Sequence, residues 1–568
     1  MATSSVSSTA SLISASTSTS STSSSSSSTS TSDIDWDGLI EEAVAAKLSK
    51  ADSIDLKITS NEAKAASYQS LSDLLGDVLD AANALRAPSG TSNASKDVFN
   101  SRAAYLTANG DVDTSSSMSA TVVSGATTGS YDLEIRQLAK AHKVTGSGVG
   151  SNSTELGYAG TITLGTAGES AEIEITADMT LLEIAEAINS ASDTTGVQAS
   201  VLKVSASSYQ LVLSATATGT TMTAASVSGD DVLQSLGITD EDAAFANVLQ
   251  EPAQAIFSVD EIEITRSTND VDDVIDGVTL HLYQTTPEDS SITVEIGTDL
   301  GAVKDAIIAL VDAYNAYRDF AYEQQQLPSN ENEDTTVLFG DSTLRNINSA
   351  VASALNSKID SNALSLLGLS FDSSNKLELD EDVLDDALLS DLDSIRSLLS
   401  FQMETSSSDL LLLSRGTAVP ADFKLDIAAD SSGAISSVSV NGDNSLFTVS
   451  GTRIIGKAGT AYEGYTFVFA GSSSTSVDIG FSTGIAELLY NVADGASSDD
   501  AGTLTTLIAE LGDTNDTLQD KSDDIRQRAE TYRTNLTNRY AAYQSAIAQA
   551  ESLQDYLTTL LETWNSSS

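Results

Sequence analysis

The residues of this chain whose types could do chemistry are two histidines, His142 and His281. A histidine held next to a hydroxyl and a carboxylate can act as a general base for a nucleophile. His142 lies at the end of a predicted strand, and His281 alternates with Leu280 and Leu282, which places it on the opposite strand face. Neither has a nearby Ser or Asp at the spacing of a nucleophile motif. We therefore interpret both as structural histidines, either facing solvent or hydrogen-bonded.

Three further patterns could bind a ligand, and each has a simpler interpretation. The acidic run Asp380–Asp386 lacks the glycine and ligand spacing of a calcium loop, and its apolar residues indicate the start of a helix. Gly146–Ser151 is glycine-rich, but it is not set between a strand and a helix, so it predicts a turn. The helix face of Tyr314, Tyr317 and Tyr322 is more typical of packing than of a sugar platform. The sequence thus predicts no catalytic site, no cofactor and no metal site.

Composition excludes several classes of partner. The 568 residues include 81 acidic and 27 basic side chains, a formal charge of -54. Such a field repels nucleic acid and anionic membranes, so we expect neither as a partner. The absence of cysteine excludes disulfides, thiol catalysis and the usual zinc sites. No apolar run approaches the roughly 20 residues of a membrane helix, so we expect no membrane insertion. We recognise no secretory signal peptide, so if the protein is exported, we expect a route that does not read such a signal.

The longest element that the sequence predicts is a C-terminal helix. Apolar residues from Leu504 to Trp564 recur at alternating spacings of four and three, and no proline interrupts them. Such a stripe needs another helix to cover it, and Asn515, Ser522 and Arg539 interrupt it with polar groups that restrict register and partner choice. We expect the stripe to make oligomer or filament contacts, with these candidates: Leu511, Leu518, Ile525, Tyr532, Leu536, Tyr543, Leu553, Leu557 and Leu560.

Changes of periodicity divide the rest of the chain. Helical spacing that stops at Pro88–Gly90 provides a partner for the C-terminal helix, and alternation with period two predicts antiparallel strands. The predicted fold class is α+β and multidomain, with β-rich head domains inserted between terminal segments that form a helical, coiled-coil stalk. The predicted domains are a disordered Ser/Thr-rich tail (1–32), N-terminal stalk helices (33–94), a β-rich head of two modules (95–298, the inner one about 146–249), a helical stalk domain (299–403), an additional β-rich module (404–481) and the C-terminal stalk helix (482–568).

Six blocks of sequence, in one order, resemble the flagellar filament-capping (hook-associated protein 2) family. The most specific is AIFSVDEIEITRSTNDVDDVIDGVTLHL at Ala255–Leu282. The others are DIDWDGLIEEAVAAKLSKADSID, GSYDLEIRQLAKAHKV, TLLEIAEAINSASDTTGVQASVL, LFGDSTLRNINSAVASAL with LSLLGLSFDSSNKLELDEDVLDDAL, and RYAAYQSAIAQAESLQDYL. The long Ser/Thr tail and the module at 404–481 depart from the simplest form of the family.

The resemblance implies a secreted, extracellular, non-enzymatic homo-oligomer that forms a ring-like cap at the distal tip of the bacterial flagellum. Its implied partners are flagellin, the hook–filament junction proteins, the flagellar type III export apparatus and a dedicated export chaperone. Two alternatives remain: a surface adhesin that binds glycans, and another axial protein such as flagellin or a junction protein. The block at Ala255–Leu282 argues against flagellin and the junction protein, because it resembles the cap and not these relatives.

Overall fold

The computed structural model describes residues 35–88, 96–166, 168–327, 336–359, 361–416 and 420–565. The Ser/Thr-rich tail predicted for residues 1–32 lies outside these ranges. The described residues form two compact units. The smaller unit contains the residues up to Ala66 together with those from Leu507 onward, and the larger unit contains Ser67–Thr506.

Helices occur at both ends of the chain and between its β-rich segments. The α-helices are α1 (Trp36–Leu85), α2 (Thr114–Ser117), α3 (Leu181–Ser190), α4 (Ser192–Thr195), α5 (Val232–Ser235), α6 (Leu300–Gln324), α7 (Ser342–Leu355), α8 (Glu381–Ser390), α9 (Leu392–Leu399), α10 (Ile485–Ser497) and α11 (Thr503–Asn565). Short 3-10 turns occur at Val98–Asn100 and Leu364–Leu367.

The strands fall into three groups along the chain. The first group, in the head, contains β1 (Arg102–Asn109), β2 (Met118–Val122), β3 (Gly129–Gln137), β4 (Ala141–Thr145), β5 (Gly160–Thr166), β6 (Glu169–Ile175), β7 (Val197–Ser205), β8 (Ser208–Thr218), β9 (Met222–Gly229), β10 (Val248–Gln250), β11 (Ala255–Val259), β12 (Ile262–Arg266), β13 (Asp270–Ile275), β14 (Val278–Leu282) and β15 (Ser291–Thr298). A two-stranded hairpin follows, with β16 (Leu369–Phe371) and β17 (Leu377–Leu379). The last group contains β18 (Gln402–Thr405), β19 (Leu410–Ser414), β20 (Phe423–Ala429), β21 (Ile435–Val440), β22 (Phe447–Ser450), β23 (Arg453–Gly456), β24 (Thr466–Phe469) and β25 (Thr475–Ser482).

The head consists of one β module inserted into another. The outer module has sheets ordered β1-β15-β3-β11-β12 and β13-β14-β2, and the inner one has β10-β4-β8-β7 and β6-β5-β9. All of these pairings are antiparallel. Each module buries its own apolar core, and α3 packs in the inner one. The α3 helix begins with a capping box between Thr180 and Glu183. The chain enters and leaves the inner module side by side, since Lys140 and Ala253 form a bridge.

The helical body of the larger unit contains the second half of α1 with α6, α7, α8, α9 and α10. The second half of α1 contributes buried apolar residues at helical spacing: Leu71, Leu75, Val78, Ala82 and Leu85. Asp299 begins α6 by accepting the N–H of Ala302 at 2.9 Å, and Asp341 begins α7 by accepting that of Thr343 at 2.9 Å. The acidic run predicted to start a helix does so, because Asp380 is the N-terminal cap of α8.

The additional β module is a sandwich of two four-stranded sheets, ordered β18-β25-β20-β21 and β19-β24-β23-β22. Its core is rich in aromatic side chains, among them Phe423, Phe447, Tyr465, Phe467 and Phe469. Helices from both chain ends, with antiparallel β-rich segments between them in sequence, confirm the predicted α+β multidomain class.

Candidate functional site

The smaller unit is an antiparallel pair formed by the first half of α1 and the part of α11 up to Tyr540. Contacts run in opposite directions along the two helices, because Asn61 hydrogen-bonds Asn515 (2.9 Å) while the ring of Trp36 lies 5.0 Å from that of Tyr540. Between these ends, Arg533 bonds the carboxylate of Glu41. Between these contacts each helix therefore covers the apolar stripe of the other over about seven helical turns of 3.6 residues.

A small apolar cluster lies near the Trp36 end of this pair. Its buried members are Ile40, Val44, Ala529 and Leu536, and half-buried side chains, including Tyr532, pack against it. Of the nine predicted contact residues, Leu536 is therefore in the core of the pair. Leu511, Leu518, Ile525 and Tyr532 are half-buried.

The polar residues that interrupt the stripe are bonded across the pair. Buried Ser522 donates from its hydroxyl to Asp55 at 2.6 Å, and Arg526 bonds the other oxygen of that carboxylate. These hydrogen bonds, from Ser522 first and then Arg526, lower the pKa of Asp55. The sequence pattern indicated Asn515 and Ser522 as register-setting positions, but it did not show their partners, because Asn61 and Asp55 lie more than 450 positions away.

The helix α11 extends far beyond the start of its partner. Residues 541–565 continue past Trp36 for about 37 Å at 1.5 Å per residue. We call this segment the overhang. Four predicted contact residues are exposed on it: Tyr543, Leu553, Leu557 and Leu560. Tyr556 and Leu561 are also exposed there, although they lie outside the alternating four-and-three spacing that defines the stripe.

The end of the overhang has a concave apolar surface. Leu557, Leu560, Leu561, Thr563 and Trp564 line a depression of about 450 Å³. Trp564 is 76 % exposed. Contiguous exposed apolar surface of this kind marks sites of interaction with other proteins.

The two histidines occupy structural positions. His142 is buried in the inner module, where its Nδ1 accepts the N–H of Met222 at 3.0 Å, and burial lowers its pKa. His281 lies between Asp270 (Nδ1–Oδ1, 2.6 Å) and Thr121 (Nε2–Oγ1, 3.4 Å) on a three-stranded sheet. This order of atoms resembles that of a nucleophile relay. However, the Thr121 contact is at the outer limit of a hydrogen bond, and both flanking residues lie on the exposed sheet face.

The other candidate ligand sites are likewise accounted for by local contacts. Lys304 pairs with Glu381 (3.0 Å) and Asp385 (2.8 Å) in the acidic run. Tyr314 and Tyr317 are buried on α6, whereas Tyr322 is half exposed. No cluster of three or more potential metal-ligating side chains occurs within the described ranges. Nor does any helix in the described part of the chain combine the length and apolar composition needed to cross a membrane.

Comparison with known proteins decides the family. The family model described as flagellar hook-associated protein 2 C-terminus matches residues 253–552, more than half of the chain. The chain belongs to the flagellar hook-associated protein 2 family. The N-terminal model of the same family matches residues 32–142, and a flagellin hook IN motif matches residues 161–217, within the inner module.

Individual members of the hook-associated protein 2 family show the extent of the similarity. The B-type flagellar hook-associated protein 2 of Pseudomonas aeruginosa is 26 % identical over 320 residues, covering 53 % of this chain and 67 % of the relative. That of Salmonella typhimurium is 31 % identical over 233 residues, covering 39 % and 49 %. The chain thus spans about half to two thirds of the length of these curated relatives. The D1-D2-D3 domains of the Escherichia coli flagellar cap protein FliD superpose with a TM-score of 0.42 at 28 % identity, covering 59 % of this chain and 90 % of that one.

Proposed function

We propose that this chain is a structural, non-enzymatic cap at the distal tip of the bacterial flagellar filament. The observation that carries the proposal is the family match, which covers both an N-terminal and a C-terminal portion of the chain. A protein with this role promotes the insertion of flagellin subunits and prevents their loss. It acts through surfaces that hold other subunits rather than through a catalytic centre.

The overhang supports the proposal because it is a long helix whose apolar side chains are available to other helices. The stripe that α1 covers on α11 up to Tyr540 continues on the overhang with Tyr543, Leu553, Leu557 and Leu560. A helix with one apolar stripe is stable against a partner helix that buries the stripe. In a filament cap, that partner surface is provided by the ends of the filament subunits or by neighbouring cap subunits.

The remaining features of the proposal follow from this role. The protein would be secreted and extracellular, would assemble as a ring-like homo-oligomer, and would contact flagellin and the hook–filament junction proteins. It would reach the tip through the flagellar type III export apparatus, held before export by a dedicated chaperone. We further propose that the division of the chain follows the predicted boundaries: tail (1–32), stalk segments (33–94, 299–403 and 482–568), head (95–298) and additional module (404–481).

A strain without the endogenous protein tests the proposal. We expect it to be non-motile and to release unpolymerised flagellin into the medium, and we expect the full chain to restore filaments. A variant with Leu553, Leu557 and Leu560 replaced by serine should fail to restore them, because the overhang loses its apolar stripe. The matched control replaces the exposed polar residues Gln549, Gln554 and Thr558 of the same segment by serine and should behave as the full chain does.

Each outcome of this experiment has a clear meaning. Normal filaments with the leucine variant would contradict the role of the overhang. A deletion strain that assembles filaments, retains its flagellin and loses only attachment to surfaces would contradict the cap and support the adhesin alternative.

A further inference from the structure

The additional β module joins the helical body through two very short connections. One connection leads from Leu399, the end of α9, to Gln402, the start of β18, and the other leads from Ser482 to Ile485, the start of α10. The two are bonded to each other, because the N–H of Gly484 donates to the carbonyl of Ser400 at 3.1 Å. Two short backbone connections that lie side by side can act as a hinge between the module and the helical body. Further contacts are therefore needed to fix the angle between the module and the body.

A buried ion cluster lies directly beside these connections. Glu487 Oε2 accepts from Arg415 Nη2 at 2.6 Å and from Arg86 Nη1 at 3.2 Å. The side chains of Glu487 and Arg415 are only 4 % and 5 % exposed, and that of Arg86 is 15 % exposed. The guanidinium of Arg86 also lies 3.5 Å from the ring centre of Tyr490.

Each member of the cluster comes from a different part of the fold. Arg86 follows the last residue of α1, Glu487 lies in the first turn of α10, and Arg415 follows β19 inside the additional module. Arg415 Nη2 also donates to the backbone carbonyl of Arg86 at 3.3 Å, and the Ser400 hydroxyl donates to the carbonyl of Leu85 at 2.8 Å. The contacts of the cluster therefore cross from the module to two separate helices of the body.

The observed orientation of the module keeps the Glu487 carboxylate in contact with both guanidinium groups. An orientation that separated these charges would be far less favourable. Two guanidinium groups share one carboxylate in a site nearly without water, and burial lowers the pKa of Arg415 while Glu487 opposes that effect. A buried ion cluster adds little stability compared with apolar side chains of the same size, but separating its members leaves buried charge uncompensated. Such a cluster selects one geometry rather than strengthening the fold.

We propose that the Arg86–Glu487–Arg415 cluster is an orientation lock that mounts the additional module rigidly on the helical body. The module then presents its surface at a constant angle instead of swinging on its two connections. This inference concerns the larger unit alone and does not depend on the role at the filament tip.

The chain contains no cysteine, so distances can be measured between two introduced spin labels without a background signal. Ser437→Cys on the exposed face of β21 and Ser353→Cys on the exposed face of α7 give one label in the module and one in the body. We expect one narrow distance peak. Replacing all three charged residues by methionine removes the charges but keeps apolar bulk, and we expect this variant to fold and to lose the single narrow peak. An unchanged narrow peak would overturn the proposal, because packing alone would then set the angle.

Glu487→Gln provides a second test that does not require the triple variant to fold. This change keeps the shape but leaves two buried arginines without a carboxylate, and we expect proteolytic cleavage near the connections to accelerate roughly a hundredfold or more. The control is Lys424→Ala, which removes the exposed Lys424–Asp478 pair of the same module and should leave the cleavage rate unchanged. Equal cleavage rates for Glu487→Gln and the control would contradict the lock.

Discussion

Replacing Leu536 by alanine should open the α1–α11 pair without affecting the larger unit. Leu536 is 2 % exposed and belongs to a small cluster whose other buried members are Ile40, Val44 and Ala529. Removing a buried leucine side chain beyond Cβ costs about 2–5 kcal/mol. The two helices can move together to fill part of the space left by the side chain, so we expect Leu536→Ala to cost about 3 kcal/mol. This cost corresponds to a roughly hundredfold increase in the equilibrium constant for opening the pair.

Hydrogen exchange measured by mass spectrometry tests this expectation segment by segment. Amides in residues 36–50 and 529–545 should exchange roughly a hundredfold faster in the variant, whereas those of α6 should be unchanged. The matched control is Leu557→Ala on the same helix, where the side chain is 56 % exposed and the cost should be within about 0.5 kcal/mol. Unchanged protection in Leu536→Ala, or equal loss in both variants, would refute the assignment of α1, which begins at Trp36, as the helix that covers Leu536.

Three further predictions concern other parts of the molecule. The inner module should lose stability as the pH falls below about 6.5, the ordinary pKa of histidine. The reason is that burial lowers the pKa of His142 in the folded state, where its neutral form accepts the Met222 N–H, while the Glu251 charge acts in the opposite sense. Thermal unfolding of His142→Gln should depend less on pH in this range. Gly484→Ala should disrupt the connection to the additional module, because a Cβ there would overlap the carbonyl group of Leu399, and protease sensitivity at that point would report it. Replacing Asn61 and Asn515 together by leucine should raise the stability of the helix pair by about 1 kcal/mol or more and loosen its register, which labelled cysteines on α1 and α11 would detect.

The spacing of apolar residues identified one side of α11 but not how much of that side α1 covers. Spacing placed Leu536 and Leu557 on the same side of one helix, yet one is buried and the other exposed. Periodicity reports which side of a helix is apolar, whereas burial depends on where the partner helix lies. The partner α1 begins at Trp36, which packs against Tyr540 from a distant part of the sequence. The N-terminal helical pattern likewise did not show that Leu71 and Leu75 belong to the core of the larger unit and not to the pair with α11.

Alternation with period two indicated the β-rich segments but not the orientation lock. Arg86, Arg415 and Glu487 have no spacing that relates them, and their separations in sequence are 329, 72 and 401 residues. Such a cluster becomes visible only when the tertiary structure brings its members together. The same holds for the relay-like contacts of His281, which arise from cross-strand pairing with Asp270 and from the neighbouring strand that carries Thr121.

The pairing of α1 with α11 also has a consequence for the order in which the parts of the molecule fold. The Asn61–Asn515 bond joins positions 454 residues apart, and the outer head sheet pairs β1 with β15 across the whole inner module. Local structures such as the inner module can close early, whereas closing the longest loops is slow because their ends must meet first. We therefore expect the α1–α11 pair to form last during folding, so that until then the apolar side of α1 remains accessible to another helix.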